Sequence, residues 1–290
     1  MSKARALAIV AAAVSVCQPW AVQAQPPAPG PAGIVDNPCP PPLQRPPQVE
    51  ALQKDGPRAL FESRDPVVMA FLQAEMRQRD ADRAGRCRYR AANLELAAAK
   101  APAPAAVFIG DSITDFWPGL DGAFFTGNKF VGRGIGAQVS TQGLMRFQQD
   151  VIELHPKVVH ILYGTNDIAG LGGPTTFENI QNNLTAMVQM ARANHIAVVI
   201  GTILPISHLP NGAKDPTLTP NIVKMNEWIR AYGKREKVPV ADYYPALSDA
   251  AGDFRAELNS DGVHPNLTGY RVMEPITRAA VQAALSGRGA

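Results

Sequence analysis

Cysteine is scarce, with 3 residues in 290, too few for a small fold knitted by disulfides. Charge of one sign is missing too: 28 lysines and arginines face 25 aspartates and glutamates, a formal excess of only +3. That balance excludes the basic surface that nucleic-acid binding requires. The one N-terminal apolar stretch, Leu7 to Val16, is too short to cross a bilayer, so no stable transmembrane anchor is expected. What the sequence does have is apolar content, 46% of residues, which at this length fills one domain and argues against general disorder.

The chain starts like an export signal. Lys3 and Arg5 precede the apolar stretch, and Val22-Gln23-Ala24 places small residues before a cut. Residues 1–24 are therefore expected to be a signal peptide and the mature protein periplasmic or secreted. Removing them takes away two basic groups and no acidic one, which lowers the formal charge from +3 to +1. Cys39 and Cys87 then remain, and an oxidising compartment lets them pair, so a Cys39–Cys87 disulfide is expected. Neither has a Cys or His neighbour at ligand spacing, and His155, His160, His195 and His208 show none either; no metal is expected.

Proline is so frequent in residues 25–48 that neither helix nor strand can persist, which predicts an extended linker. Asp65-Pro66 reads as a helix cap, and Val68, Phe71, Leu72 and Met76 follow at helical spacing. A second helical piece is expected over Cys87 to Ala99, making residues 49–100 a helical N-terminal extension. Residues 101–290 are the expected main domain. There, short Val- and Ile-rich runs alternate with helical stripes, the pattern of a parallel sheet covered on both faces. The expected strands are Ala105 to Ile109, Lys129 to Val131, Val158 to Tyr163, Ala197 to Ile203 and Val238 to Ala241, and a last helix is expected over Leu267 to Leu285. The fold class is thus α/β: a three-layer α/β/α sandwich around a five-stranded parallel sheet, preceded by the helical extension.

Ligands of such sheets gather beyond the carboxyl ends of the strands, and four motifs fall there. Gly110-Asp111-Ser112 follows the first strand, Gly134 ends the run after the second, and Asn166 follows the third in Gly164-Thr165-Asn166-Asp167. Asp261-Gly262-Val263-His264 precedes the last helix. A serine at a strand-to-helix junction exposes its hydroxyl, but a neutral hydroxyl needs a base. His264 can take that proton, and Asp261, three residues earlier, can hold the imidazole's other N–H. The developing oxyanion needs donors fixed in advance, and the backbone N–H of Ser112, that of Gly134 and the Asn166 amide are the candidates. Asp111 and Asp167 are expected to cap or brace loops, Asp115 and Trp117 to pack or shape the rim, and the loop from Leu204 to Pro220 to border the substrate.

These motifs resemble the SGNH hydrolases, or GDSL-like esterases and lipases, over residues 105–285. Gly110-Asp111-Ser112-Ile113-Thr114-Asp115 and Arg133-Gly134-Ile135-Gly136 are similar to the bacterial branch near the platelet-activating-factor acetylhydrolase catalytic subunits. The resemblance implies a flavodoxin-like sheet and ester hydrolysis without a cofactor. It further implies Ser112 as nucleophile, His264 as base, Asp261 as its partner, and Ser112, Gly134 and Asn166 as oxyanion donors. Members often carry asparagine where this chain has Gly132. The function expected is removal of small, acetyl-like acyl groups through an acyl-enzyme, with a small-molecule or glycan ester as substrate. The alternatives are a lysophospholipase or short-chain lipid esterase, and a non-catalytic glycan-binding module.

Overall fold

The computed structural model describes residues 37–41, 43–54, 57–99, 102–209 and 212–287. The expected signal peptide, and the linker as far as residue 36, lie outside the described residues. From Cys39 onward the chain forms one compact unit. The linker expected over 25–48 therefore ends early: Cys39 is bonded to Cys87, and a helix begins at Pro47.

The extension consists of α1 (Pro47–Lys54), α2 (Pro57–Glu62), α3 (Pro66–Ala81) and α4 (Arg90–Ala98). Asp65 caps α3 as its sequence suggests, its Oδ1 accepting the N–H groups of Val67 and Val68 at 2.7 and 3.3 Å. Val49, Leu60, Val68 and Phe71 bury a small core of their own. The second helical piece begins at Arg90 rather than Cys87, because residues 82–89 form a tight loop around Gly85.

The main body is a parallel sheet of β1 (Ala106–Gly110), β2 (Phe130–Gly134), β3 (Val158–Leu162), β4 (Ala197–Gly201) and β5 (Val240–Ala241), in the order β2-β1-β3-β4-β5. Alternation along β1 divides the core. Phe108 points to the face covered by α5 (Ser112–Leu120), α6 (Gly122–Asn128) and α12 (Leu267–Ser286), while Val107 and Ile109 point to the face covered by α7 (Ser140–Asp150), α9 (Phe177–Ala193) and α10 (Leu218–Glu236). Two short helices, α8 (Thr165–Ile168) and α11 (Tyr244–Leu247), follow β3 and β5. All five strands run the same way, so the loops leaving their carboxyl ends share one rim. β2 extends three residues past its expected end, to Gly134, which pairs with Gly110.

Candidate active site

β1 stops at Gly110, and Asp111 turns the chain into α5. Its Oδ1 accepts the Ile113 N–H at 2.9 Å, the cap expected of it. Ser112 is thereby the first residue of the helix, where a backbone N–H has no intrahelical acceptor. Burial pushes the Asp111 carboxyl up to about 7, and its Oδ2 has no partner among the described residues.

The Asp261–His264 turn is organised by its own carboxylate. Asp261 Oδ1 accepts the backbone N–H of Val263 (3.1 Å) and of His264 (2.8 Å), and Oδ2 accepts the imidazole Nδ1–H at 2.7 Å. Burial raises the Asp261 pKa, but the hydrogen bonds and charge of His264 outweigh it and leave the carboxyl below its ordinary value. An ionised acceptor on Nδ1 leaves the Nε2 lone pair facing outward, and Ser112 Oγ lies 2.8 Å from it. Phe116 sets its ring edge-on to the imidazole, with centroids 5.3 Å apart. The loop after β4 backs the turn: Ser207 donates its N–H to the Gly262 carbonyl at 2.9 Å.

Asn166 enters from α8. One Nδ2 hydrogen goes to the Gln138 carbonyl at 2.9 Å, which fixes the amide plane and leaves the other hydrogen without a partner among the described residues. Asp167 beside it is a brace, as expected, accepting the Ser140 N–H (2.9 Å) and hydroxyl (2.6 Å); burial raises its pKa against the pull of those bonds.

The turn after β2 differs from its expected role. In a parallel ladder the residue abreast of Gly110 turns its own N–H and C=O away while its neighbours bond across. Accordingly Ile135 N–H donates to Gly110 O at 3.0 Å, and the Gly134 carbonyl faces the extension, where the Tyr89 hydroxyl donates to it. Gly134 is buried against α5, so close that a Cβ there would stand 2.1 Å from Asp115 N. Its need for glycine is packing, and its N–H follows its carbonyl away from Ser112. The stretch that opens onto Ser112 is Gly136 to Gln138: a Cβ on Gly136 would stand 3.7 Å from Ser112 Cβ. Within it, Gly136 N–H goes to Asp115 Oδ2 at 3.1 Å and Gln138 N–H to the Ile135 carbonyl at 3.3 Å. Ala137, exposed and left-handed at φ 63°, keeps an N–H with no acceptor among the described residues.

Behind this turn lies a feature that sequence reasoning missed. Arg146 of α7 is wholly buried and donates to Gln138 Oε1 (2.7 Å), Asp150 Oδ2 (2.9 Å), Gly110 O (3.1 Å) and the Tyr163 hydroxyl (2.7 Å). Of the remaining candidates, Trp117 is core, stacked on Phe124, and His160 is buried on Phe108, where desolvation pushes it down to about 3. Among the described residues no cluster of His, Cys, Asp or Glu could hold a metal ion. From Asp167 onward opens a cleft of about 670 Å³, walled by Ile168, Pro174, Phe177 and Ile180 together with Asp167, Thr175, Thr176 and Asn221.

Residues 108–272 match the GDSL-like lipase/acylhydrolase family model. A candidate acylhydrolase from Bacteroides fragilis is 37% identical, with a TM-score of 0.64 over 70% of this chain and 98% of its own. A GDSL-like lipase from Bacteroides thetaiotaomicron is 34% identical, with a TM-score of 0.64 over 70% of this chain and 99% of its own. An uncharacterized lipoprotein of Bacillus subtilis, YqeF, is 36% identical over 76 residues, 25% of this chain and 31% of that protein. With the family model covering more than half of the chain, and with relatives matched along nearly their whole length, this protein belongs to the GDSL-like lipase/acylhydrolase family, the SGNH hydrolases, and is a carboxylic ester hydrolase.

Proposed function

We propose that the protein is an exported serine esterase that releases small acyl groups, acetyl foremost, from carbohydrate esters. The observation that carries this reading is the 2.8 Å approach of Ser112 Oγ to His264 Nε2, whose Nδ1 is held by Asp261. Ser112 Oγ attacks the ester carbonyl as its proton passes to Nε2, and Asp261 stabilises the imidazolium that forms. The carbonyl oxygen, now negative, is received by the N–H of Ser112, the free Nδ2 hydrogen of Asn166 and a backbone N–H of the 134–138 turn. In that turn Ala137 replaces Gly134 as the proposed donor, because the residue is exposed and its N–H has no acceptor among the described residues. Collapse of the tetrahedral species expels the alcohol, which takes the proton from His264. Water then attacks the acyl-Ser112 ester with the same base and the same donors, releasing the acid and restoring the serine.

The cleft suits a carbohydrate ester in one respect: Thr175, Thr176, Asn221 and Asp167 set polar groups along walls otherwise made by Ile168, Pro174, Phe177, Ile180 and two glycines. Hydroxyl-rich leaving groups find partners on the same walls. Export is supported by the N-terminal pattern of Lys3, Arg5 and the apolar stretch after them, and by the name lipoprotein carried by the Bacillus relative.

The test compares wild type and Ser112→Ala on p-nitrophenyl acetate, then acetate release from acetylated xylo-oligosaccharides with fatty-acid release from lysophospholipids. Turnover by wild type alone, with acetate preferred, is the expected result. Equal rates in both proteins would mark a glycan-binding module, and preference for long chains would make it a lipid esterase.

A further inference from the structure

The residues that match the family model begin at 108, yet the turn that faces Ser112 is held from outside by residues 83–89 of the extension. The Tyr89 hydroxyl donates to the Gly134 carbonyl, so the Gly134–Ile135 peptide is gripped at both ends: its N–H belongs to Gly110 O. Ala84 O accepts Gln138 Nε2 at 3.1 Å, the same Gln138 whose backbone carbonyl fixes Asn166. Gly85 makes this approach possible. It is left-handed at φ 70°, and a Cβ there would stand 2.6 Å from Gln138 Nε2 and 2.8 Å from Ile135 Cδ1. Arg88 lies 3.7 Å from Asp115, whose other oxygen takes the Gly136 N–H. Arg83 O and Arg86 O accept the side-chain amides of Gln142 and Gln149 on α7. Every second residue of the turn is thus tied, directly or through one side chain, to this segment.

The segment is itself fastened. Cys87 sits in its middle, bonded to Cys39, and the Cys87 N–H donates to Asp82 Oδ2 at 2.6 Å. Arg133 lies over the Tyr89 ring at 4.8 Å and donates Nε to Asn93 Oδ1 at 2.8 Å, which holds Tyr89 from the strand side.

We propose that residues 83–89, fastened by the Cys39–Cys87 disulfide, are a brace that sets the oxyanion-binding turn, with Tyr89 as a positioning residue for ester hydrolysis. The proposal rests on the esterase reading above. The brace touches neither the nucleophile nor the base, so it acts only on how well the tetrahedral species is held. Substrate binding before attack is unaffected.

The experiment measures kcat, KM and melting temperature for Tyr89→Phe, and for the paired Cys39→Ser/Cys87→Ser variant, with p-nitrophenyl acetate. It also measures the inhibition constant of phenylboronic acid, a tetrahedral adduct former, and that of the product acetate. A displaced donor is expected to lower kcat by about tenfold with KM within about twofold. Phenylboronic acid weakens in proportion to kcat, acetate inhibition stays constant, and Tyr89→Phe melts as wild type does. Unchanged kcat in Tyr89→Phe, while Ser112→Ala is inactive, overturns the brace and leaves the esterase standing. A fall in kcat without loss of boronate affinity also overturns it, as does a loss of kcat in Tyr89→Phe matched by a lower melting temperature. Wild-type turnover no faster than Ser112→Ala removes the esterase reading and the brace together.

Discussion

At the scale of single residues the site is an arithmetic of hydrogen bonds. Asn166 has two amide hydrogens and the Gln138 carbonyl takes one, so Asn166→Ala removes a donor and also the support it gives that loop. We expect kcat on p-nitrophenyl acetate to fall about a hundredfold or more, with KM little changed. Replacing the Ala137 peptide N–H by an ester oxygen, through incorporation of lactic acid at 137, should cost a similar factor while keeping the left-handed backbone. The same replacement at 134 should not, and a loss at 134 alone would restore Gly134 as the donor. His160 has no part in this chemistry and offers a clean test of burial. It is held neutral at about 3 in the fold but titrates near 6.5 when unfolded, so between those values the unfolded chain binds more protons. Stability from this group is whole above pH 6.5 and is lost as pH falls toward 3. In His160→Gln, whose amide can still reach the Tyr243 hydroxyl, the melting temperature should decline less between pH 6.5 and pH 4 than in wild type.

At the scale of elements, strand ends place the chemistry and one helix binds the placements together. α7 delivers Arg146, which joins the Gly110 carbonyl before Ser112 to Gln138 behind Asn166. Asp150, one turn along, neutralises it, and Asn93 of α4 donates to the other Asp150 oxygen at 2.8 Å. Arg146→Met would leave the Asp150 carboxylate buried without its cation, a loss of about 3–5 kcal/mol visible as a large drop in melting temperature. Little of this knot is legible in the sequence, because an arginine in a polar-looking helix reads as solvent-facing and only the packing of α7 on β1 reveals that it is not. β1, β3 and β4, in contrast, are legible from their Val and Ile runs, whereas β2 runs on through Gly132 and Gly134 and β5 keeps only Val240–Ala241 of the expected Val238 to Ala241. Ser112, His264, Asp261 and Asn166 are legible because each occupies a motif at a strand end or just before the last helix. Ala137 carries no such mark, since nothing in an alanine announces a left-handed backbone; the eye goes instead to Gly134, whose glycine answers to the nearness of α5.

At the scale of the whole molecule, the extension is too small to hold itself together. Its private core is Val49, Leu60, Val68 and Phe71, well below what an independent domain needs, so its order depends on the main body and on one covalent staple. The Cys39–Cys87 bond closes a loop across a sequence separation of 48, which by chain entropy is worth about 4 kcal/mol to the folded state. That stabilisation falls on the extension first, because the sheet and its two helical layers contain neither cysteine. In Cys39→Ser/Cys87→Ser we therefore expect residues 47–99 to open before the sheet does. Hydrogen exchange in α3 and α4 should rise well below the main melting transition, while amides of β1, β3 and β4 keep their protection. A single cooperative loss of all these amides at an unchanged temperature would mean that side-chain contacts such as Tyr89 on Gly134 and Asn93 on Asp150 hold the extension unaided.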